Sequence, residues 1–150
     1  MHQPGHPPAG HPTLFERIAS GDIPASLVYE DASVFAFLDI GPVAPGHTLL
    51  VPRLPAATLM ELDEASAAAL GRALPRLSRA LTAATGCDGL NVLQNNGSAA
   101  GQVVPHVHFH LIPRFNNRDE RIGLRWDAGE LDAEQAQSLR DRIKDAMIQA

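Results

Sequence analysis

The run His106-Val107-His108-Phe109-His110-Leu111-Ile112 decides how this chain is read. In an extended strand successive side chains point to opposite faces, so the three histidines share one side and Val107, Phe109 and Leu111 the other. One face packs, and the other presents imidazoles spaced by roughly 7 Å along the strand, two residues of about 3.3 Å each. An imidazole has an unperturbed pKa of about 6.5, so near neutral pH one ring nitrogen can attack while the other is held as a donor. Attack on phosphorus gives a covalent phosphohistidine, with nearby donors stabilising the oxygens and a second histidine moving a proton to the leaving group. Two rival readings fit the same run: His-x-His on a strand can supply two zinc ligands, and an edge strand can simply expose a polar face.

Working outward, Val103 to Ile112 reads as one strand, with Pro113 expected to end its pairing. Leu90 to Gln94 reads as a strand before the Asn95-Asn96-Gly97 turn signal, which by itself is only a turn. Val28 to Glu30, Val34 to Asp39 and His47 to Val51 read as three more strands of an antiparallel meander, separated by Gly-Pro, Pro-Gly and acidic turns. Thr13 and Glu16 have the spacing of a capping box, so a short helix is expected to run to Ser20, where Gly21 stops it. From Asp63 to Thr85, Leu70, Leu74, Leu77 and Leu81 recur at helical spacing and mark a long amphipathic helix with a core-facing stripe. Pro75 inside it predicts a kink or break near Gly71 to Leu74. Asp132 with Gln135 caps a last helix with Ala136, Leu139, Ile143 and Met147 on one face.

The chain has 150 residues, of which 45% are hydrophobic, which suits one compact domain over 13–150. Residues 1–12 carry four prolines, two glycines and three histidines and are expected to be a disordered tail. The spacing of His2, His6 and His11 on that Pro-interrupted segment imposes no metal geometry. With 12 Lys plus Arg against 17 Asp plus Glu, the net charge of -5 argues against general affinity for nucleic-acid polymers. Cys87 is the single cysteine, so no internal disulfide forms and the cytoplasm is the expected compartment. No signal-peptide pattern and no membrane-length apolar run is present, so no membrane association is expected.

His106 to Ile112 matches at every position the signature of the histidine triad family, His-φ-His-φ-His-φ-φ with φ apolar. The resemblance extends in order through Leu14-Phe15 to Ile23-Pro24, Phe37 to Ile40, Ala44-Pro45-Gly46-His47 to Val51-Pro52, and Asn95 to Gln102. It implies an α+β domain with a mainly antiparallel five-stranded sheet, often a homodimer, that binds nucleoside monophosphate units without a cofactor. By that resemblance His108 is the nucleophile, His110 contacts the phosphate, His106 organises the nucleophile, and His47 is the fourth histidine. Phe15, Ile23, Phe37 and Ile40 match the base pocket of the Hint-like branch, and Asp39 matches the acid that binds the ribose hydroxyls. Without the resemblance the phenylalanines read as core and Asp39 as a turn acid before Gly41-Pro42.

Asn95, Gly101 and Gln102 match polar or close-approach positions near the phosphate and leaving group. Val103 stands where relatives often carry Ser or Thr, so a donor toward the leaving group is missing. His110 separates the chain from relatives resembling galactose-1-phosphate uridylyltransferase, which carry Gln there, and so favours hydrolysis over transfer. The paired cysteines of zinc-containing relatives are absent near Phe15, and a structural zinc is not expected. The implied activity is hydrolysis of purine nucleoside 5′-phosphoramidates or related nucleotidyl conjugates. The alternatives are Fhit-like cleavage of dinucleoside polyphosphates, with which Pro113-Arg114 is compatible, and a nucleotide- or partner-binding module with little turnover.

Overall fold

A computed structural model describes residues 10–118, 129–130 and 132–150. Most of the expected N-terminal tail, including His2 and His6, lies outside the described residues. In chain order the elements are α1 (Leu14–Ala19), β1 (Leu27–Glu30), β2 (Val34–Leu38), β3 (Thr48–Pro52), α2 (Glu64–Thr85), β4 (Gly89–Gln94), β5 (Phe109–Arg114) and α3 (Ala133–Gln149). The strands form one antiparallel five-stranded sheet in the order β1-β2-β3-β5-β4. The expected α+β architecture with its long helix is therefore what the chain adopts.

Strand alternation divides the core in two. Val34 and Ala36 of β2, Leu50 of β3 and Leu111 of β5 face the α2 stripe of Ala69, Leu70, Ala73, Leu77 and Leu81. Phe35 and Phe37 of β2 and Leu49 and Val51 of β3 point the other way and pack with Phe15 of α1. That second face carries the candidate site, because His110 pairs with Leu49 across the β3–β5 ladder.

Three local expectations need correction. The strand expected over Val103 to Ile112 begins only at Phe109, so just one histidine of the run lies in it. Pro105 has no N–H to offer a ladder, and the Pro52 carbonyl accepts instead from the His106 ring at 2.8 Å. At the other end Pro113 does not end pairing: it stands opposite Leu90, beyond the last β3 partner, where β5 is open on one side and tolerates a proline. Helix α2 runs unbroken through Pro75. Both Pro75 and Gly71 are exposed, so water can serve the Gly71 carbonyl that loses its partner, and Gly71 has no side chain to crowd the ring.

The remaining caps are as expected. Thr13 accepts from the Glu16 amide while Glu16 accepts from the Thr13 amide at 2.7 Å, a complete capping box. Asp132 caps α3 through the Gln135 amide at 2.8 Å. The apolar residues Leu139, Ile143 and Met147 of α3 are all exposed, so that face is not part of the core formed by the described residues.

Candidate active site

His110, inside β5, is held by its ladder position. His108 sits one residue ahead of the strand, and His106 lies in the bend after Pro105 with its ring fully buried. The histidines thus do not share one strand face as alternation suggested: His108 and His110 meet with ring centroids 4.9 Å apart, and His106 stands behind them in the interior. Phe15 presses edge-on against both His108, at 4.9 Å, and His106, at 5.7 Å.

Hydrogen-bond partners assign the proton on each ring. The Nδ1–H of His108 donates to the carbonyl oxygen of His106 at 2.7 Å, which leaves Nε2 as a bare lone pair. His106 donates from Nε2 to Pro52 O, so its Nδ1 is an acceptor and receives the Thr13 hydroxyl at 2.9 Å. The amide of Val43 donates to Nδ1 of His47 at 3.0 Å, so the proton of His47 is on Nε2. That Nε2–H donates to Nδ1 of His110 at 3.0 Å, and the proton of His110 is therefore on its own Nε2. One ring ends in a free lone pair and its neighbour in an N–H donor.

All four rings are held neutral. Burial pushes the pKa values of His47, His106 and His108 below the usual imidazole value, although Asp39 opposes this at His47 and His108. His110 falls to about 4, through burial first and then the proximity of His108 and His47. The hydrogen-bond train gives a structural reason. A second proton on the His47–His110 pair would set two N–H groups against each other, or against the Val43 amide.

The histidine wall separates two chambers. The larger, about 320 Å³, is lined by Phe15, Ile18, Ile23, Phe37, Ile40 and Leu49, among others, with Asp39, His108 and His110 at its polar end. Here the structure brings together every expected base-pocket residue and the expected ribose acid, and Ile40 is fully exposed at the mouth. Asp39 also serves its local turn, one oxygen accepting from the Gly41 amide at 2.8 Å while the other lies 3.6 Å from His47 Nε2. The smaller chamber, about 210 Å³, is lined by Val43, His47, Leu93, Asn95, Gly101, Val103 and Ile112 on the far side of His108 and His110. Gly101 has φ +87, a conformation that disfavours any side chain at this wall.

Gln102, expected near the phosphate and leaving group, lines neither chamber. Its oxygen accepts from the Gly97 amide at 2.7 Å, and its nitrogen donates to Ala57 O at 2.7 Å and Val104 O at 3.0 Å. The irregular segment ahead of β5 has no ladder to satisfy its backbone, and Gln102 supplies those partners. Residues that sequence reasoning did not name include Leu14, Ile18, Pro24, Ala25, Leu49 and Val104 in the large chamber. No motif marks them, since they are ordinary apolar residues brought in by packing.

Asp39, His47 and His110 place one ligand atom each within 4.8 Å of one another, a grouping that resembles a metal cage. The protonation pattern does not suit a cation: the nitrogen that His47 turns to the cluster carries a proton, and that of His110 is occupied in accepting it.

An antiparallel sheet that brings paired imidazoles into the wall between an apolar cleft and a second chamber is the arrangement of the histidine triad class. The HIT domain family model matches residues 20–117, and the chain belongs to that family. It is 41% identical over 130 residues to adenosine 5′-monophosphoramidase hnt1 of Schizosaccharomyces pombe, covering 87% of this chain and 94% of the relative. Adenylylsulfatase HINT3 of Arabidopsis thaliana is 43% identical over 101 residues, 67% of this chain and 51% of that one. The crystal structure of a HIT family member from Bacillus subtilis superposes with a TM-score of 0.84 at 37% identity, covering 90% of this chain and 96% of that one.

Proposed function

We propose that this chain hydrolyses purine nucleoside 5′-phosphoramidates or related nucleotidyl conjugates through a nucleotidyl intermediate on His108. The observation that carries the reading is the hydrogen bond from His108 Nδ1–H to the His106 carbonyl, which leaves Nε2 bare on a ring that lines both chambers. The coarser reading, a HIT-family nucleotide hydrolase, is supported by the phosphoramidase and adenylylsulfatase relatives.

The nucleoside fills the apolar chamber, with its base between Phe15, Ile23, Phe37 and Ile40 and its ribose hydroxyls donating to Asp39. Nε2 of His108 attacks phosphorus, the P–N bond breaks, and the amine leaves through the second chamber. That chamber opens to solvent at Gly101 and Val103, from which the departing nitrogen takes its proton. Nε2–H of His110 and the amide of Asn95 are the donors available to phosphoryl oxygens. Water then attacks phosphorus, the P–Nε2 bond breaks, and a proton returns to solvent with the nucleoside monophosphate.

Dinucleoside polyphosphate cleavage is the weaker reading, since among the described residues no Lys or Arg lines the second chamber to take further phosphates. We also propose a homodimer, supported by the open edge of β4, where Val92 is half exposed. A cytoplasmic location rests on the single cysteine. The deciding experiment is rapid-quench mass spectrometry of the protein with adenosine 5′-phosphoramidate. A mass increase of one adenylyl group on the parent, absent from His108→Ala, is expected; a variant that hydrolyses as fast as the parent overturns the assignment.

A further inference from the structure

The capping box of α1 does more than start a helix. The Thr13 hydroxyl accepts from the Glu16 amide at 3.2 Å, and it also lies 2.9 Å from Nδ1 of His106, which is 93 residues away in sequence. Because the His106 Nε2–H is committed to Pro52 O, its Nδ1 offers only a lone pair, and the Thr13 O–H must donate to it. The carbonyl of that same residue, His106, receives Nδ1–H of His108 at 2.7 Å. A continuous train therefore runs from the Glu16 amide through Thr13 and His106 to the ring that turns Nε2 toward the chambers.

We propose that Thr13 is a positioning residue for the nucleophile: its hydroxyl holds the His106 ring, and through it the carbonyl that fixes His108 in the Nδ1–H tautomer. The inference rests on the role assigned to His108 above, and it explains why a fully buried histidine that lines neither chamber belongs to the site. The His106 ring has two anchors, Pro52 O and Thr13. Without the second, one buried ring nitrogen loses its partner and the ring can turn about the remaining bond. His108 then loses its single carbonyl reference and samples the tautomer with its lone pair on the wrong nitrogen.

The test uses the full chain labelled with ¹⁵N in its imidazoles, comparing the parent with Thr13→Val, Thr13→Ser and Thr13→Gly. Valine matches threonine in shape and lacks the hydroxyl. Glycine also lacks it but is well tolerated at N-caps, which covers the case in which the valine variant does not fold. The parent should show His108 as a single Nδ1–H tautomer. Thr13→Val and Thr13→Gly should show both tautomers and lose about tenfold in kcat, with KM changed by less than about twofold. Thr13→Ser should restore the parent spectrum and rate.

Asp63→Ala removes the α2 cap, which receives the Ser66 amide, and serves as a stability control with spectrum and kcat unchanged. A single His108 tautomer in both hydroxyl-free variants overturns the proposal, as does a serine variant as defective as valine. If the parent hydrolyses no phosphoramidate, the substrate reading fails, while the ring spectra still decide the role of Thr13.

Discussion

Nε2 of His47 donates to Nδ1 of His110 across 3.0 Å, and the Val43 amide enforces the direction of that bond by occupying the other nitrogen of His47. A backbone N–H on a loop thereby sets the proton position of a ring on the interior strand β5. His47→Phe breaks this chain. The His110 pKa should then rise above about 4, because the opposed N–H no longer resists a second proton, while burial, the larger cause, still holds it below the ordinary imidazole range. Imidazole NMR titration reads the shift directly, and kcat should fall about tenfold as one positioned donor is lost.

Replacing the nucleophile has a larger expected effect. His108→Ala should lower kcat by about 10⁴-fold, leaving only what binding and the remaining donors contribute. Single-turnover kinetics with adenosine 5′-phosphoramidate would measure the loss, and affinity for adenosine monophosphate should stay within severalfold.

Asp39 offers a test of the far end of the nucleotide. Asp39→Ala should raise KM for a ribonucleoside phosphoramidate by about ten- to a hundredfold, the worth of hydrogen bonds to a charged acceptor. The 2′-deoxy substrate should suffer less, since it brings one hydroxyl fewer. Equal losses for both sugars would place the ribose elsewhere.

The pH dependence follows from the neutral rings. His47, His106, His108 and His110 all have folded-state pKa values below the unfolded value of about 6.5. Below that pH the unfolded chain binds protons that the folded chain refuses, so stability is full above about 6.5 and declines as pH falls toward about 4, where His110 itself titrates. Chemical denaturation between pH 7.5 and 4.5 should show this decline. The acid limb of kcat/KM should also lie below 6.5, because protonation of His108 in the free enzyme abolishes attack.

Val103 lines both chambers beside His108 and His110, with 68% of its surface exposed. Val103→Ser adds a hydroxyl near the departing amine. Hydrolysis of alkylamine phosphoramidates should accelerate relative to arylamine ones, since the poorer leaving group gains more from an added donor. A rate series across amines of graded basicity would show a shallower slope in the variant.

Much of this architecture was legible in the chain. Capping boxes, the leucine stripe and the turn signals that bound Val34 to Asp39 are local signals, and each gave its element within a residue or two. Pro113 misled because strand pairing is two-sided, and whether a missing N–H matters depends on a neighbour that sequence does not reveal. The late start of β5 escaped for a related reason: His106 and Gln102 take over backbone partners, which no periodicity encodes. The pocket residues Phe15, Ile23, Phe37 and Asp39 were named through family resemblance, whereas composition alone gave core and turn. The contact between Thr13 and His106 lay out of reach, because residues at opposite ends of the chain meet only after the sheet has formed.

The sheet's alternation has a consequence for how such a protein can change. Val34 and Ala36 answer to α2, while Phe35 and Phe37, interleaved with them on the same strand, pack on the opposite side, where Phe37 lines the cleft. A lineage can therefore retune thermal tolerance through even-numbered positions of β2 while its ligand preference drifts through Phe37. Two selective pressures can act on a five-residue strand with little interference.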